Sequence, residues 1–306
     1  MQEKKNKWVK FGAVFAIVIM VVSAVLVGLI GFGGEEKDTE LSLSDIPGTQ
    51  ANFTFKNAID GSTHVPEGVL SISILKVYAD DAVDKSLKDA FPGAEADKIM
   101  MVSYPAGRVD YYSLTEESNA SITLIGKPQY NKHEGYNILF LSSIQRAIAG
   151  NPLILASFYD YTVDNSLAKK AVDVLAGKSP GSADLKDILA HADDVDNYDE
   201  IIVYKANAGS SYDKYYERSS QFFDMSTLQL TFQTESIVLK PDADMKAEIR
   251  AFAGNATGDN KITVTEEGDV LKIYIDSTNA ENFLKDRNVL YNLISDNTAQ
   301  GSNSTP

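Results

Sequence analysis

An uncharged apolar segment close to the N-terminus constrains the fold of this chain more than any other feature. It runs from Phe11 to Gly34 and contains no charged residue. As an α-helix, at about 1.5 Å per residue, it would be ~36 Å long, enough to cross a hydrocarbon core about 30 Å thick. Because a core helix of this length would normally carry a polar face, the segment predicts a single transmembrane helix over residues 11–34.

Charged residues on both sides of the apolar segment indicate its orientation. Four lysines lie within residues 1–10, and the acidic sequence EEKDTE follows the segment. Because cytoplasmic flanks are enriched in lysine, residues 1–10 are predicted to be a cytoplasmic tail and the remainder to be extracytoplasmic. The segment is longer than the apolar region of a cleaved signal peptide, which favours an uncleaved signal-anchor in the cell membrane.

The composition of the chain limits the classes of function. With 306 residues, 44% of them hydrophobic and 23% charged, the chain is long enough and apolar enough to fold as one or two globular domains. It has no cysteine, which excludes disulfides and thiolate metal sites. A net charge of −15 repels phosphate backbones, so no nucleic acid partner is expected. Many exported microbial proteins also lack cysteine, and a prokaryotic source is expected.

Two stretches of the predicted extracytoplasmic part resemble each other. VYADDAVDKSL (Val77–Leu87) and FYDYTVDNSL (Phe158–Leu167) both read as a strand end, an acidic turn and a helix start. In the first stretch Asp80 or Asp81 can cap the helix. In both cases a strand, a hairpin and another strand follow the helix, which predicts an internal repeat. Strand-helix-strand-strand units are typical of an α+β fold with a mixed or antiparallel sheet, and a ferredoxin-like unit is the nearest simple module.

The same patterns predict the organisation of the rest of the chain. A hairpin that turns at Glu267-Gly268 and a following helix close the fold. In chain order we predict a cytoplasmic tail (1–10), a transmembrane anchor (11–34), a tether (35–50), a first α+β unit (51–150), a related second unit (151–240), a C-terminal hairpin and helix packed on the same fold (241–295), and a flexible tail (296–306).

Arg146 is the side chain that most invites a functional interpretation. It lies in the nearly uncharged stretch LFLSSIQRAIAGNPLILASF, where a buried charge requires a partner or a ligand. One hypothesis is a structural ion pair with Asp160 or Asp164. The other is that Arg146 and these two carboxylates, with Asn151 in the adjacent turn, bind an anionic ligand between the two units.

An acidic stretch offers the one candidate cofactor site. HADDVDNYDE provides four aspartates, Asp193, Asp194, Asp196 and Asp199, and such a density of carboxylates suits Ca²⁺. The glycine of an EF-hand loop is missing, so a solvated acidic loop is the alternative. We expect no other cofactor, and no motif indicates a catalytic residue.

Four Asn-x-Ser/Thr sequons are candidate glycosylation sites if the protein is exported to a compartment that glycosylates. They begin at Asn52, Asn119, Asn255 and Asn303.

Together these features predict a membrane-anchored extracytoplasmic surface protein. Its role would be non-enzymatic: binding, organisation of the cell envelope, or interaction with an unknown protein or small molecule, with the lipid bilayer contacted through residues 11–34. One alternative is an envelope enzyme with a carboxylate and arginine site between the two units. A further alternative is a pilus-like subunit that assembles through its N-terminal helix.

Overall fold

A computed structural model describes residues 38–159, 166–183, 190–191, 200–204, 214–218, 234–239, 243–258, 260–277 and 279–300. Within these residues most of the regular structure is antiparallel β-sheet, and the helices are few. The strands are β1 (Asp38–Ser42), β2 (Ala51–Asn52), β3 (Ser71–Lys76), β4 (Ala96–Tyr104), β5 (Gly107–Leu114), β6 (Ser121–Ile125), β7 (Tyr130–His133), β8 (Tyr136–Ser142), β9 (Gln145–Ile148), β10 (Gly150–Asn151), β11 (Leu153–Phe158), β12 (Glu200–Tyr204), β13 (Lys214–Arg218), β14 (Thr234–Leu239), β15 (Lys261–Glu267) and β16 (Val270–Asp276). The helices are α1 (Ala58–Ser62), α2 (Ala82–Ala90), α3 (Ser166–Leu175), α4 (Ala243–Ala253) and α5 (Ala280–Gln300), and a 3₁₀ turn covers Leu43–Asp45.

The chain forms two compact units that alternate along the sequence. Among the described residues, unit 1 contains those up to 54, from 77 to 99 and from 106 to 178, and unit 2 contains the others. The boundaries predicted from sequence, and the relation between the residues before and after 150, stay predictions, because a large part of residues 184–233 lies outside the described residues.

Unit 1 is built on antiparallel strands in the order β5-β11-β9-β8-β7. A separate antiparallel pair joins β1 to β6, and the short strands β2 and β10 pair in parallel. All six residues of β11 are buried, as expected for a central strand whose two faces are both covered. Helix α3 lies against β5, and its buried residues follow helical spacing on one side: Leu167, Ala168, Ala171 and Val172.

Unit 2 contains a seven-stranded antiparallel sheet in the order β15-β16-β14-β13-β12-β3-β4. Strands β15 and β16 form the hairpin that the sequence indicates, and Gly268 makes the turn with a φ of +66°, a conformation that favours glycine. Helices α4 and α5 pack over this hairpin. The two helices and the hairpin share a cluster of apolar side chains that are all fully buried: Met245, Ile249, Leu271, Ile273, Ile275, Phe283 and Leu290.

The predicted α+β class with tandem ferredoxin-like units is wrong, because the described chain is mainly antiparallel sheet with few helices. The local elements of the first predicted unit do form: β3 is followed by α2 and then by β4, and Asp81 caps α2 by accepting a hydrogen bond from the Asp84 amide at 2.7 Å. The pairing differs from a split βαβ module. Strands β3 and β4 are antiparallel neighbours, with the Leu70 amide donating to the Ser103 carbonyl. Local periodicity specifies strands but not their partners, and that is where the prediction failed.

The prediction of a transmembrane helix is also corrected. Among the residues that the structure describes, no helix is both long and apolar enough to cross a membrane. The apolar segment itself, residues 11–34, lies outside those residues.

A buried polar row as candidate ligand site

Strand β5 carries two charged side chains in an otherwise apolar sequence. It reads Gly-Arg-Val-Asp-Tyr-Tyr from Gly107, so Arg108 and Asp110 are two residues apart. Because successive side chains of a strand point to opposite faces, both lie on the same face of the sheet. Their charged groups form an ion pair, with the Arg108 Nη2 atom 2.8 Å from Asp110 Oδ2.

The strand register adds two polar side chains from neighbouring strands. Ser157 of β11 is the pairing partner of Arg108, and Gln145 of β9 is the pairing partner of Ser157. With about 4.8 Å between strands, the three residues form a line roughly 10 Å long across the sheet. We call Arg108, Asp110, Gln145 and Ser157 the polar row.

Glycine at position 107 allows strands β5 and β11 to approach closely beside the polar row. A Cβ atom at Gly107 would lie only 2.2 Å from the carbonyl oxygen of Ser157. Any larger residue at this position would push the two strands apart and separate Arg108 from Ser157.

The polar row is buried but incompletely hydrogen-bonded. Asp110 is 1% exposed and Gln145 2% exposed, while the Arg108 side chain is 16% exposed. Within the described part of the chain, four side-chain atoms of the row find no hydrogen-bond partner: Arg108 Nε, Asp110 Oδ1, Gln145 Nε2 and Ser157 Oγ. Buried polar groups in proteins nearly always have a partner, and each one left without costs about 1–3 kcal/mol. The row therefore has unused hydrogen-bonding capacity, which a buried water or a small polar ligand would satisfy.

The electrostatics of the row are dominated by burial and by the ion pair. Burial raises the pKa of Asp110, and the nearby Arg108 guanidinium opposes that shift without cancelling it. Burial lowers the pKa of Arg108, but the charge and the hydrogen bond of Asp110, together with the nearby Tyr112 and Tyr159, outweigh burial, and the net pKa of Arg108 is raised. Because the two charges lie together, they largely neutralise each other.

Arg146 is the neighbour of Gln145 in β9, so its side chain lies on the opposite face of the sheet from the polar row. It is buried, its guanidinium donates to the carbonyls of Ser142 and Gln145 at 2.5 and 2.8 Å, and it stacks over the Phe140 ring with 4.0 Å to the ring centroid. Burial lowers the pKa of Arg146. These contacts fix the side chain within unit 1, and the ligand role suggested by sequence stays a prediction.

The other predicted ligand residues are partly within the described structure. The Asn151 side chain accepts from the Leu114 amide at 2.9 Å and donates to the Leu114 carbonyl at 2.7 Å, so it extends the pairing of β5. Asp160 and Asp164 lie outside the described residues.

The predicted calcium site also falls outside the described residues, since these do not include Asp193, Asp194, Asp196 or Asp199. Where the chain is described, no group of three or more histidines and carboxylates is placed to hold a metal ion. Of the sequon asparagines, Asn52, Asn119 and Asn255 are exposed, and Asn303 is not among the described residues.

Sequence reasoning missed the polar row, although a signal for part of it was present. Charged residues at positions i and i+2 in an apolar strand, here Arg108 and Asp110, place two charges on one face and suggest a buried pair. The contributions of Gln145 and Ser157 had no local signal, because they depend on pairing between residues far apart in the chain.

Unit 2 has an open groove between α4 and α5, and a buried carboxylate is among its lining residues. The groove is lined by Phe252, Val289 and Leu293, among others, and by Asp286. Asp286 is 2% exposed and accepts hydrogen bonds from the Thr257 amide and from the Asn260 side chain, both at 2.7 Å. It therefore fixes the loop between α4 and β15 to α5.

Replacing Asp286 by Asn is expected to cost about 1–3 kcal/mol of folding free energy near neutral pH, since the amide cannot accept all of these hydrogen bonds. Burial opposes ionisation, but the hydrogen bonds from Thr257 and Asn260 outweigh it and lower the pKa of Asp286. A lowered pKa stabilises the fold above the unfolded value of about 3.9, and that contribution is lost as pH falls through the folded value. The stability gap between wild type and variant should therefore narrow between about pH 5 and pH 2 in urea unfolding.

Asp269→Asn at an exposed position is the matched control and should change stability by less than about 0.5 kcal/mol. If the stability difference between wild type and Asp286→Asn stays constant over this pH range, the pKa of Asp286 is not lowered in the folded state.

Comparison with known proteins gives no information about the function. The chain matches no protein-family model, no curated protein and no solved structure.

Proposed function

We propose that this protein is a non-enzymatic, extracytoplasmic binding module whose ligand site is the polar row of unit 1. The observation that supports the proposal is the set of four buried polar atoms, on three adjacent strands, that lack partners within the described chain. Fixed donors and acceptors on the central strands of a sheet suit recognition, because a rigid backbone holds them in place without the ligand.

The location of the protein is part of the proposal and rests on the sequence. The lysines before residue 11 and the acidic sequence after residue 34 favour a position outside the cytoplasm, and the apolar residues 11–34 favour association with the lipid bilayer. The net charge of −15 argues against nucleic acid as a partner. Extraction of membranes with alkaline carbonate tests the association, and a chain released into the supernatant would contradict it.

Ligand binding in the polar row is tested by thermal unfolding of the full chain with separate pools of hexoses, amino acids, short carboxylates and polyamines. A ligand at about 100 times its dissociation constant stabilises the folded state by ~2.7 kcal/mol. We expect at least one pool to raise the Tm of the wild type, and to have a much smaller effect on Gln145→Leu, which removes Nε2 at similar side-chain volume.

The exposed Gln129→Leu in the same unit is the control and should respond as the wild type does. Ser157→Ala removes a single hydroxyl and serves where Gln145→Leu lowers the stability too far. The proposal fails if no pool raises the Tm of the wild type. It also fails if every rise in Tm is the same size in Gln145→Leu and Ser157→Ala.

A further inference from the structure

We propose that the ligand of the polar row is a neutral saccharide, whose exocyclic hydroxymethyl group enters the row while the sugar ring rests on Tyr159. This inference depends on the proposed function, because it names the ligand of the same site.

The hydrogen-bonding capacity left open in the row matches a hydroxyl group. Arg108 Nε and the amide nitrogen of Gln145 can only donate, the free oxygen of Asp110 can accept, and the Ser157 hydroxyl, the fourth unpartnered group, can do either. A ligand hydroxyl donates once and accepts twice, so one hydroxyl can accept from Arg108 and Gln145 while it donates to Asp110. A carboxylate offers no donor for Asp110, and an ammonium group offers no acceptor for Arg108 or Gln145.

The charge balance of the row also favours an uncharged ligand. Arg108 and Asp110 already neutralise each other at 2.8 Å. An anion would be repelled by the buried Asp110 carboxylate and by a chain whose net charge is −15. A cation would compete with Arg108 for Asp110, and breaking a buried ion pair carries a large penalty.

Ser157 has the shortest side chain of the polar row. Its short side chain lies between the longer side chains of Arg108 and Gln145 in the strand register. Since Asp110 and Gln145 are almost fully buried and the Arg108 side chain keeps 16% of its surface exposed, a ligand approaches from the Arg108 side. Because the unpartnered atoms of the row are buried, a narrow group such as a hydroxymethyl arm suits them better than a whole pyranose ring.

An exposed aromatic residue stands on the side from which the ligand would approach. Tyr159 follows Ser157 by two residues and is 68% exposed, an unusual degree for a large aromatic side chain. The Tyr159 amide donates to the Ala106 carbonyl at 3.2 Å. Since Ala106 precedes Arg108 by two residues, Tyr159 lies close to Arg108. The C–H face of a pyranose ring packs on an aromatic ring of this kind.

The test compares glucose with xylose, which is glucose without the hydroxymethyl group. Titration calorimetry on the full chain should show glucose, or another neutral hexose such as galactose or mannose, binding at least about tenfold more tightly than the matching pentose. Tyr159→Ala should weaken hexose binding by about tenfold, while Tyr274→Ala, at 40% exposure in unit 2, should leave it unchanged.

The outcomes separate this inference from the proposed function. If glycine, acetate or putrescine binds in a Gln145-dependent way and hexoses do not, the saccharide inference is overturned and the binding site stands. Equal affinity for glucose and xylose overturns the hydroxymethyl assignment, and unchanged hexose affinity in Tyr159→Ala overturns the stacking contact. If no probe binds, water alone completes the row and both proposals fail.

Discussion

Replacing Asp110 by Leu is expected to lower the free energy of unfolding by about 3–5 kcal/mol at neutral pH. The substitution leaves the Arg108 guanidinium largely buried, without the carboxylate that lies 2.8 Å from it. A buried charge that loses its partner keeps its desolvation penalty and loses the compensating attraction, so the folded state bears the whole cost. Urea unfolding followed by circular dichroism measures the effect.

Two further variants separate a buried pair from a pair on the surface. Glu266→Gln breaks the Arg250–Glu266 pair in unit 2, whose side chains are 56% and 37% exposed, and should cost at most about 1 kcal/mol. The double variant Arg108→Met/Asp110→Leu removes both charges and should recover most of the stability lost in Asp110→Leu, because an apolar pair of similar volume fits a buried position. The interpretation of the row as a buried ion pair is wrong if Asp110→Leu costs no more than Glu266→Gln.

The elements that the sequence predicts well are those whose causes are local. Helix α2 begins where Asp81 can accept a hydrogen bond from an amide in the first turn, a preference that a short stretch of sequence reveals. The β15–β16 hairpin turns where Gly268 adopts a positive φ, which a β-branched or bulky residue would rarely do. In both cases the residues that determine the structure lie within a few positions of each other.

The topology and the polar row could not be predicted in this way, because both depend on pairing between distant strands. Strand β5 pairs with β11, which begins about forty residues later in the sequence, and β11 brings Ser157 beside Arg108. Hydrophobic alternation shows which face of a strand is buried but not which strand lies next to it. The apparent repeat predicts tandem ferredoxin-like units, whereas most of the described regular structure is one kind of element, antiparallel strand, whose partners are set by long-range pairing.

Arg146 illustrates the same limit on the scale of one residue. Its isolation in an apolar stretch predicts a cation that needs a partner or a ligand, and in the structure the side chain is buried. The structure supplies that compensation through carbonyl oxygens and the Phe140 ring, which sequence alone does not place. The unpartnered polar atom in this strand belongs instead to Gln145, one residue earlier and on the opposite face.

Replacing Phe283 by Ala should destabilise unit 2 by about 3–5 kcal/mol, because it removes a fully buried ring from the cluster between α5 and the β15–β16 hairpin. The neighbouring side chains that would line the resulting cavity are Ile273 and Ile275 of β16 and Met245 and Ile249 of α4. Amides of β15 and β16 should exchange hydrogen faster in this variant, since the helix that covers the hairpin loses its main contact. Hydrogen exchange followed by mass spectrometry measures this directly.

Val289→Ala on the same helix is the matched control. Val289 is 43% exposed, so its truncation should change stability by less than about 0.5 kcal/mol and leave exchange in β15 and β16 as in the wild type. If Phe283→Ala and Val289→Ala have the same small effect on exchange, α5 does not pack on the hairpin through Phe283. If Phe283→Ala alone exposes the hairpin, α5 holds the β15–β16 edge of the unit 2 sheet in place through its buried face, which packs there together with α4.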